Sequence, residues 1–394
     1  MEGTLVMSIQ EKSEDKADVY GAEMQAYLRA GEEKAMALGN RGPIRFDAEG
    51  KLAADILDAY WRCGFYVFEG VYDATELAEL EADLKAEVLD RLPVEEGAFL
   101  DAKSRPAIGV DCEAPTLFWA KPLGDPFGGS DLANGRHPVK MAEPVPDQSA
   151  PKDIVYLILG SLQFSEACLR AYGHPDLLAV AAAINGEDFV PFTDALFIKE
   201  PGLGASVAWH QDGVTHWDSS DWDEGIHGFN FQVQLYRTTP ANCLWVVPGT
   251  HKQGRIDIKQ AVADNRGKDT LPDAVPLICE PGGVTVVNRQ MLHGSFANTS
   301  PDMRLSLTIG FHRHKSVVGQ IGALSMRGQG AYDEKRIFER SSVIQVAIDA
   351  RHQHRPNEAP FAYQPFVGKE DAFRFNDETR ERVIRDYNTK DLAI

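Results

Sequence analysis

The chain has 394 residues, with 59 acidic against 40 basic side chains and a formal net charge of −19 at pH 7. That length buries a large core and leaves room for two or three domains or for one elaborated all-β unit. So acidic a surface, with no Lys/Arg-rich block as a local exception, repels phosphate backbones and anionic lipid and argues against nucleic acid and membrane roles. "MEGTLVMSIQEKSEDKADVYG" lacks the apolar stretch of a secretory signal, and no later run approaches the ~18 apolar residues of a spanning helix. The five cysteines are scattered, without C-x-x-C, and their odd number fits a disulfide framework poorly. A cytoplasmic location is therefore expected, with each cysteine a small buried apolar side chain.

Residues 1–45 read as a polar tail with a short helix around "AEMQAYLRAGEEKAMALG". "AADILDAYWRCGFYVFEGVYDATELAELEADLKAEVLDRL" then changes period twice and predicts helix, strand, helix. Helical spacing runs to Trp61, "GFYVFEG" is a strand, and Asp73 caps a second helix with a Leu77, Leu80, Leu84, Val88 stripe. Residues 93–152 are rich in Pro, Gly and Asp, and a segment of that length is either a lid over a site or a disordered insertion. Phe118, Trp119 and Phe127 give a lid something to pack. "IVYLILGSLQFSEACLRAYG" and "PDLLAVAAAIN" are expected to be helices. Short runs follow, "FVPFTDALFIK", "GFNFQVQLYRT", "CLWVVPGTH", "PLICEPGGVTVVN", "MLHGSFANTS" and "MRLSLTIGFHRH", and their punctuation by Gly, Pro and Asn predicts an antiparallel sandwich or barrel. Beyond residue 320 the pattern is mixed until "DETRERVIRDYN", a closing helix with a solvated polar face.

Chemistry concentrates in "AWHQDGVTHWD", residues 208–218. On a strand, His210 and Asp212 share a face while Gln211 turns away, and an imidazole and a carboxylate at one point suit a divalent metal of intermediate softness. A third ligand has six candidates: His216, His227, His251, His293, His312 and His314. His216 and His227 lie in the polar loop "GVTHWDSSDWDEGIHG", where surface or lid contacts are the simpler expectation. His251 ends a "PGTH" turn, which favours a hydrogen-bonding role. His293 has Gly294 beside it and, eleven residues on, Arg304 in the otherwise apolar "MRLSLTIGF". There Arg304, Ser306, Thr308 and Gly310 share one strand face. An arginine pointing into a small barrel is costly unless an anion meets it. Its partner is either a carboxylate of the protein or a small dicarboxylate lying beside the metal.

The motifs "WHQDG" (209–213), "CLWVVPGTHKQG" (243–254) and "HGSFANTSPDMRLSL" (293–307), with the earlier "GFYVFEG" and "LFIKEPG" (196–202), resemble the phytanoyl-CoA dioxygenase family of non-haem Fe(II)/2-oxoglutarate-dependent oxygenases over roughly residues 50–315. The resemblance implies a mainly β fold with flanking helices around a double-stranded β-helix (jelly-roll, cupin-like) core. It places that domain at 46–316 with a lid insertion at about 93–152, and a C-terminal extension, 317–394, packing on the core. It implies that His210, Asp212 and His293 are the catalytic triad binding Fe(II), and that Arg304 binds the distal carboxylate of 2-oxoglutarate with Ser295 and Ser306 as donors. Phe231 falls where the family often has an aromatic wall beside the cosubstrate. Lys199 fits the motif without an assigned role.

A 2-His-1-carboxylate face leaves three of six iron positions open, two for a chelating 2-oxo acid and one for O2. The implied reaction converts 2-oxoglutarate to succinate and CO2 while hydroxylating a C–H of a small-molecule substrate. Related halogenases replace the carboxylate by Gly or Ala, so Asp212 points to hydroxylation. Two other readings are a non-catalytic β-barrel binding protein and a cupin-like metalloenzyme using "HRH" at 312–314; neither needs a buried Arg304. The loop "THWDSSDWDEGIHG" is compatible with an amino acid, a terpenoid or an acyl derivative as substrate. The global charge disfavours a highly anionic one unless a local basic pocket overrides it.

Overall fold

Period-2 alternation in the second half of the chain builds two sheets; helices of the first half and of the C-terminus cover the larger, and the first helix, Ala22–Leu38, packs on the smaller. The structure is a computed structural model and describes residues 20–321 and 331–387. Strands β1 (Arg41–Gly42), β2 (Phe65–Phe68), β3 (Leu117–Ala120) and β4 (Ile154–Leu159) precede a run of eight. These are β5 (Val190–Lys199), β6 (Val207–His210), β7 (Phe229–Gln234), β8 (Trp245–Val246), β9 (Val275–Pro276), β10 (Val284–Asn288), β11 (His293–Ser295) and β12 (Arg304–His312). The chain reverses between β8 and β9, which pair antiparallel, and then retraces itself: β10 against β7, β11 against β6, β12 against β5. The larger sheet runs β1-β2-β10-β7-β12-β5-β4-β3 and the smaller β6-β11-β8-β9. Two halves of one chain interleaved in two facing sheets form a double-stranded β-helix, the expected core.

The two faces of the larger sheet differ in chemistry. Leu307, Ile309 and Phe311 of β12 pair in register with Val233, Phe231 and Phe229 of β7 and, with Leu305, sink into the main apolar cluster. The helices in chain order are α1 (Ala22–Leu38), α2 (Ala54–Cys63), α3 (Ala74–Asp83), α4 (Glu166–Tyr172), α5 (Pro175–Asn185), α6 (Ile258–Asp264) and α7 (Glu334–His354); Ile56 and Tyr60 of α2 and Leu80 of α3 belong to that cluster, whereas α1 and α6 pack in a separate one. Leu169, Leu178 and Ile344, from α4, α5 and α7, are fully covered in the main cluster, each such side chain contributing roughly 1.5–3 kcal/mol. Gly173, just past α4, permits the approach of α7: a Cβ there would lie 2.3 Å from the Ala347 carbonyl oxygen. The other face of β12, with Arg304, Ser306, Thr308 and Gly310, lies opposite Gln234, Gln232 and Asn230 of β7 and Lys199, Phe197 and Ala195 of β5. It lines the interior between the sheets.

Several expectations hold at the element level. "GFYVFEG" contains β2, and Asp73 caps α3 by accepting from the Glu76 backbone N–H at 2.8 Å. Leu80, Leu84 and Val88 are buried as the stripe requires. "IVYLIL" is a strand and not the start of a helix: a six-residue apolar run carries no period that separates a buried strand from a buried helix. Its β-branched residues pair with β3 and β5. Past residue 320, the sequence that looked mixed holds the 21-residue helix α7, whose uneven apolar pattern reflects contacts on several sides. No helix among the described residues is long and apolar enough to cross a membrane.

Candidate metal and cosubstrate site

His210 ends β6 and His293 begins β11, and the two are cross-strand partners. Their ring centroids are 4.0 Å apart. Asp212 follows the end of β6, with Oδ1 3.5 Å from His210 Nε2 and Oδ2 3.9 Å from His293 Nε2. Among the described residues this is the one group of three His, Cys, Asp or Glu whose ligand atoms converge, all within 4.8 Å of one another, and all three are buried. Each histidine is oriented from behind: His210 Nδ1 donates to the Ala208 carbonyl and His293 Nδ1 to the Met291 carbonyl, both at 2.8 Å. A carbonyl oxygen only accepts, so each Nδ1 carries the proton and each Nε2 presents a lone pair to the shared point, the arrangement that orients metal-binding imidazoles. Burial, then His210, push the His293 ring down to about 3, which keeps it neutral. Burial alone would raise the Asp212 carboxyl, but the groups around it, Arg136 first among them, hold it well below the usual range. This donor set fits a divalent metal such as Fe(II).

Three more side chains hold Asp212. Arg136 Nη1 stands 3.0 Å from Oδ1, Asn230 Nδ2 donates to Oδ2 at 3.1 Å and Arg289 Nε lies 3.8 Å from it. Asn230 is aimed through a gap left by Gly310, where a Cβ would lie 2.7 Å from its Oδ1. Arg136 comes from the 93–152 segment, as does His137, which sits 4.1 Å from the His210 ring, stacks on Phe127 and shares the Ala208 carbonyl at 3.1 Å. Burial and His210 push His137 down to about 2. Backbone N–H groups of Phe127, Gly128 and Met141 donate to the Asp125 carboxylate and fix this loop. None of these contacts left a spacing signal: Arg136 is a loop residue far along the chain from Asp212.

Deeper between the sheets lies Arg304, 2% exposed. Its guanidinium donates to Ser306 Oγ (2.9 Å), the Asn242 carbonyl (3.3 Å) and Gln232 Oε1 (3.1 Å), and Ser306 in turn donates to Gln234 Oε1 at 2.5 Å. Every partner is neutral. Burial pushes Arg304 down to about 10, and the one acidic group that acts on it, the Cys243 thiol, is itself pushed up to about 12 by burial. Lys199 is also buried, directly across from Arg304, with Nζ 2.6 Å from the Phe296 carbonyl. Burial, then Arg304, hold it well below its ordinary value. Arg304 and Lys199 thus share an interior in which, among the described residues, neither forms an ion pair with a carboxylate. Asn230, which touches Asp212, and Gln232, which touches Arg304, are two residues apart on one face of β7, about 7 Å along the strand.

Ser295 is buried on β11 two residues from His293. Phe231 is not beside this interior. It pairs with Ile309 on the opposite face and meets Phe229 and Phe311 in the helix-covered core, and its neighbour Gln232 takes the inward position. His216 and His227, expected to make surface or lid contacts, are 2% and 0% exposed, which excludes the surface alternative. The His216 backbone N–H donates to His227 Nε2 at 3.3 Å, and burial pushes His227 down to about 2, with Arg289 adding to it. "HRH" does not present two histidines on one face, because β12 ends at His312. His312 Nε2 accepts from Arg289 Nη1 at 2.8 Å, whereas His314 faces Glu334 at the surface. His251 Nε2 bonds the Trp61 carbonyl at 3.0 Å, the hydrogen-bonding role its turn suggested.

Residues 143–306 match the sequence model of the family described as phytanoyl-CoA dioxygenase (PhyH), so the resemblance read from the motifs is borne out over that stretch. The chain is 30% identical over 118 residues to phytanoyl-CoA dioxygenase 1 of Oryza sativa subsp. japonica, covering 28% of this chain and 40% of that protein. It is 25% identical over 177 residues to L-proline trans-4-hydroxylase of Streptomyces griseoviridis, 39% of this chain and 66% of that one. It therefore spans under two thirds of the length of these curated relatives. Among solved structures it is similar to EctD from S. alaskensis with 2-oxoglutarate and 5-hydroxyectoine, at 18% identity and a TM-score of 0.46, covering 69% of this chain and 80% of that one.

Proposed function

We propose, for a chain whose residues 143–306 match the phytanoyl-CoA dioxygenase family, that it is an Fe(II)- and 2-oxoglutarate-dependent dioxygenase that hydroxylates a C–H of a small organic metabolite. The observation that carries this reading is Arg304: a guanidinium buried among neutral oxygens only, on the same interior as a convergent His-Asp-His group. A buried cation of this kind needs an anion, and a short dicarboxylate supplies one at each end of its reach.

In this reading His210, Asp212 and His293 hold the iron, and Arg304 with Ser306 receives the distal carboxylate of 2-oxoglutarate through charge-assisted hydrogen bonds. Ser295 is the further donor on the β11 side. Iron held by His210, Asp212 and His293 would supply the coupling of 2-oxoglutarate's oxidative decarboxylation by O2, to succinate and CO2, with hydroxylation of the substrate C–H. The chain's own residues prepare that chemistry. Ala208 and Met291 carbonyls set the imidazole tautomers, and Arg136 and Asn230 orient the Asp212 carboxylate. His137, backed by Phe127, covers the His210 ring, so the 93–152 segment acts as a lid over that ligand.

The test is anaerobic. Fe(II) with 2-oxoglutarate should give the weak visible charge-transfer band of a chelated 2-oxo acid, and His210→Ala or His293→Ala should abolish it. Persistence of the band with normal iron content in both variants would overturn the assignment.

A further inference from the structure

Next to the triad a cleft of about 370 Å³ opens to solvent, and its lining includes Arg136, Gln211, Trp217, Arg255, Ile256 and Lys259. The protein carries a net charge of −19, yet this lining holds three cations, of which Arg136 pairs with Asp212, and one carboxylate, Asp257. Asp257 is engaged as a helix cap, accepting from the Gln260 backbone N–H at 3.0 Å. Neither Arg255 nor Lys259 has an acidic partner among the described residues, so the cleft is a local cationic exception on an acidic surface. Such an exception concentrates anions where the rest of the molecule repels them.

The cleft is built onto the metal motif. Gln211, the residue between His210 and Asp212, is buried with its amide tied to the backbone: Nε2 donates to the Gly254 and Gln290 carbonyls at 3.0 and 2.6 Å, and Oε1 accepts from the Ile256 backbone N–H at 2.8 Å. Those bonds clamp the backbone on either side of Arg255. At the inner end Arg136 lines the cleft and contacts Asp212 Oδ1 at 3.0 Å. The cationic rim and the triad are thereby positioned by adjacent residues of one strand end.

We infer that this cleft admits the primary substrate, and that the substrate is a small organic anion whose carboxylate, sulfonate or phosphate group is held by Arg255 and Lys259 while its apolar body lies along Trp217 and Ile256 toward Asp212. A volume of about 370 Å³ is at the small end of ligand pockets, which suits a compact acid and not a nucleotide thioester. The inference rests on the iron and 2-oxoglutarate reading for what happens to the substrate, but its test does not require iron.

The probes are 1-anilinonaphthalene-8-sulfonate, an aromatic anion, and N-phenyl-1-naphthylamine, the same aromatic body without the sulfonate. Binding of each is followed by fluorescence with the full-length protein, without metal or 2-oxoglutarate. In Arg255→Ala/Lys259→Ala the sulfonate dye should bind on the order of tenfold more weakly, the loss expected from two exposed charge contacts, and the neutral dye should bind unchanged. Trp217→Ala should weaken both dyes. Equal binding of the sulfonate dye to wild type and double variant, or equal loss of both dyes, would overturn the cleft assignment. The anaerobic charge-transfer band, measured on the same double variant, separates the two readings. Its survival alongside loss of sulfonate binding supports both, and its absence from wild type with the dye discrimination intact removes the iron reading while keeping the anion site.

Discussion

Two buried arginines, Arg351 on α7 and Arg304 on β12, are each 2% exposed and differ in every other respect. Arg351 reaches two carboxylates: its Nη2 is 2.9 Å from Glu358 Oε1 and 3.2 Å from Glu76 Oε2, and Nη1 and Nε complete both pairs. Although burial alone would lower it, Glu358 and Glu76 raise its proton affinity above the ordinary value. Arg304 meets a hydroxyl, a carbonyl and an amide, and burial carries it the other way, down to about 10. A structural arginine brings its counter-ion in the same chain. Arg304 is desolvated with no counter-ion among the described residues, which is the feature that supports the proposed anion site in the barrel interior.

Substituting each arginine should separate stability from cosubstrate binding. Arg351→Ala removes the guanidinium that Glu76 and Glu358 share and leaves Glu76 only Arg355, at 3.7 Å; breaking a fully buried pair from one side costs about 3–5 kcal/mol, and the partial exposure of Glu358 puts this loss below that. A urea unfolding curve should show that loss, with the 2-oxoglutarate requirement of the surviving folded enzyme unchanged. Arg304→Ala should do the opposite: the protein stays folded and holds iron, and the 2-oxoglutarate concentration for half-maximal turnover rises on the order of 100-fold, at about 1.4 kcal/mol per factor of ten. Arg304→Lys should recover only part, because an ammonium keeps the charge and loses the planar fork. An unchanged requirement in Arg304→Ala would make it another Arg351 and remove the main support for a 2-oxo acid cosubstrate.

The same contrast explains what could be read in the chain beforehand. The inward face of β12 was legible because Arg304, Ser306 and Thr308 alternate with Leu305, Leu307 and Ile309, and a charge in an apolar strand stands out. β7 carries the same code, Asn230, Gln232 and Gln234 alternating with Phe229, Phe231 and Val233. Strand parity alone therefore assigns Phe231 to the covered face; family position assigned it to the site, and parity decided. The burial of His216 and His227 was not legible, since a loop rich in Gly, Ser and Asp has no period to reveal that another part of the chain covers it. Arg136 was equally hidden. Its contact with Asp212 depends on how a long irregular segment crosses the barrel mouth, held by Asp125 and the Phe127–His137 stack, and no spacing rule connects those residues. The C-terminal helix was obscured because α7 packs on more than one side, which blurs the single apolar stripe that announces a surface helix.

The smallest expected effect sharpens the comparison from the carboxylate side. Burial alone would raise the Glu358 carboxyl, but the Arg351 guanidinium holds it below its ordinary value. A carboxyl whose folded value is depressed stabilises the fold above its unfolded value, near 4.3, and that contribution fades as the pH falls through the folded value. Wild type should therefore lose stability between roughly pH 4.3 and lower pH in part through this pair, measured as the urea midpoint at successive pH values. Glu358→Gln keeps the shape and a hydrogen-bond acceptor but cannot titrate, so its midpoint should start lower at neutral pH and fall less steeply across that window. The side chain of Glu358 is 31% exposed, so solvent screens the pair and the difference should be modest. Arg304 has no such carboxylate, and Arg304→Gln should leave the acid limb of the stability curve parallel to wild type. If Glu358→Gln instead runs parallel to wild type while Arg304→Gln flattens the limb, the two arginines have been assigned to the wrong roles.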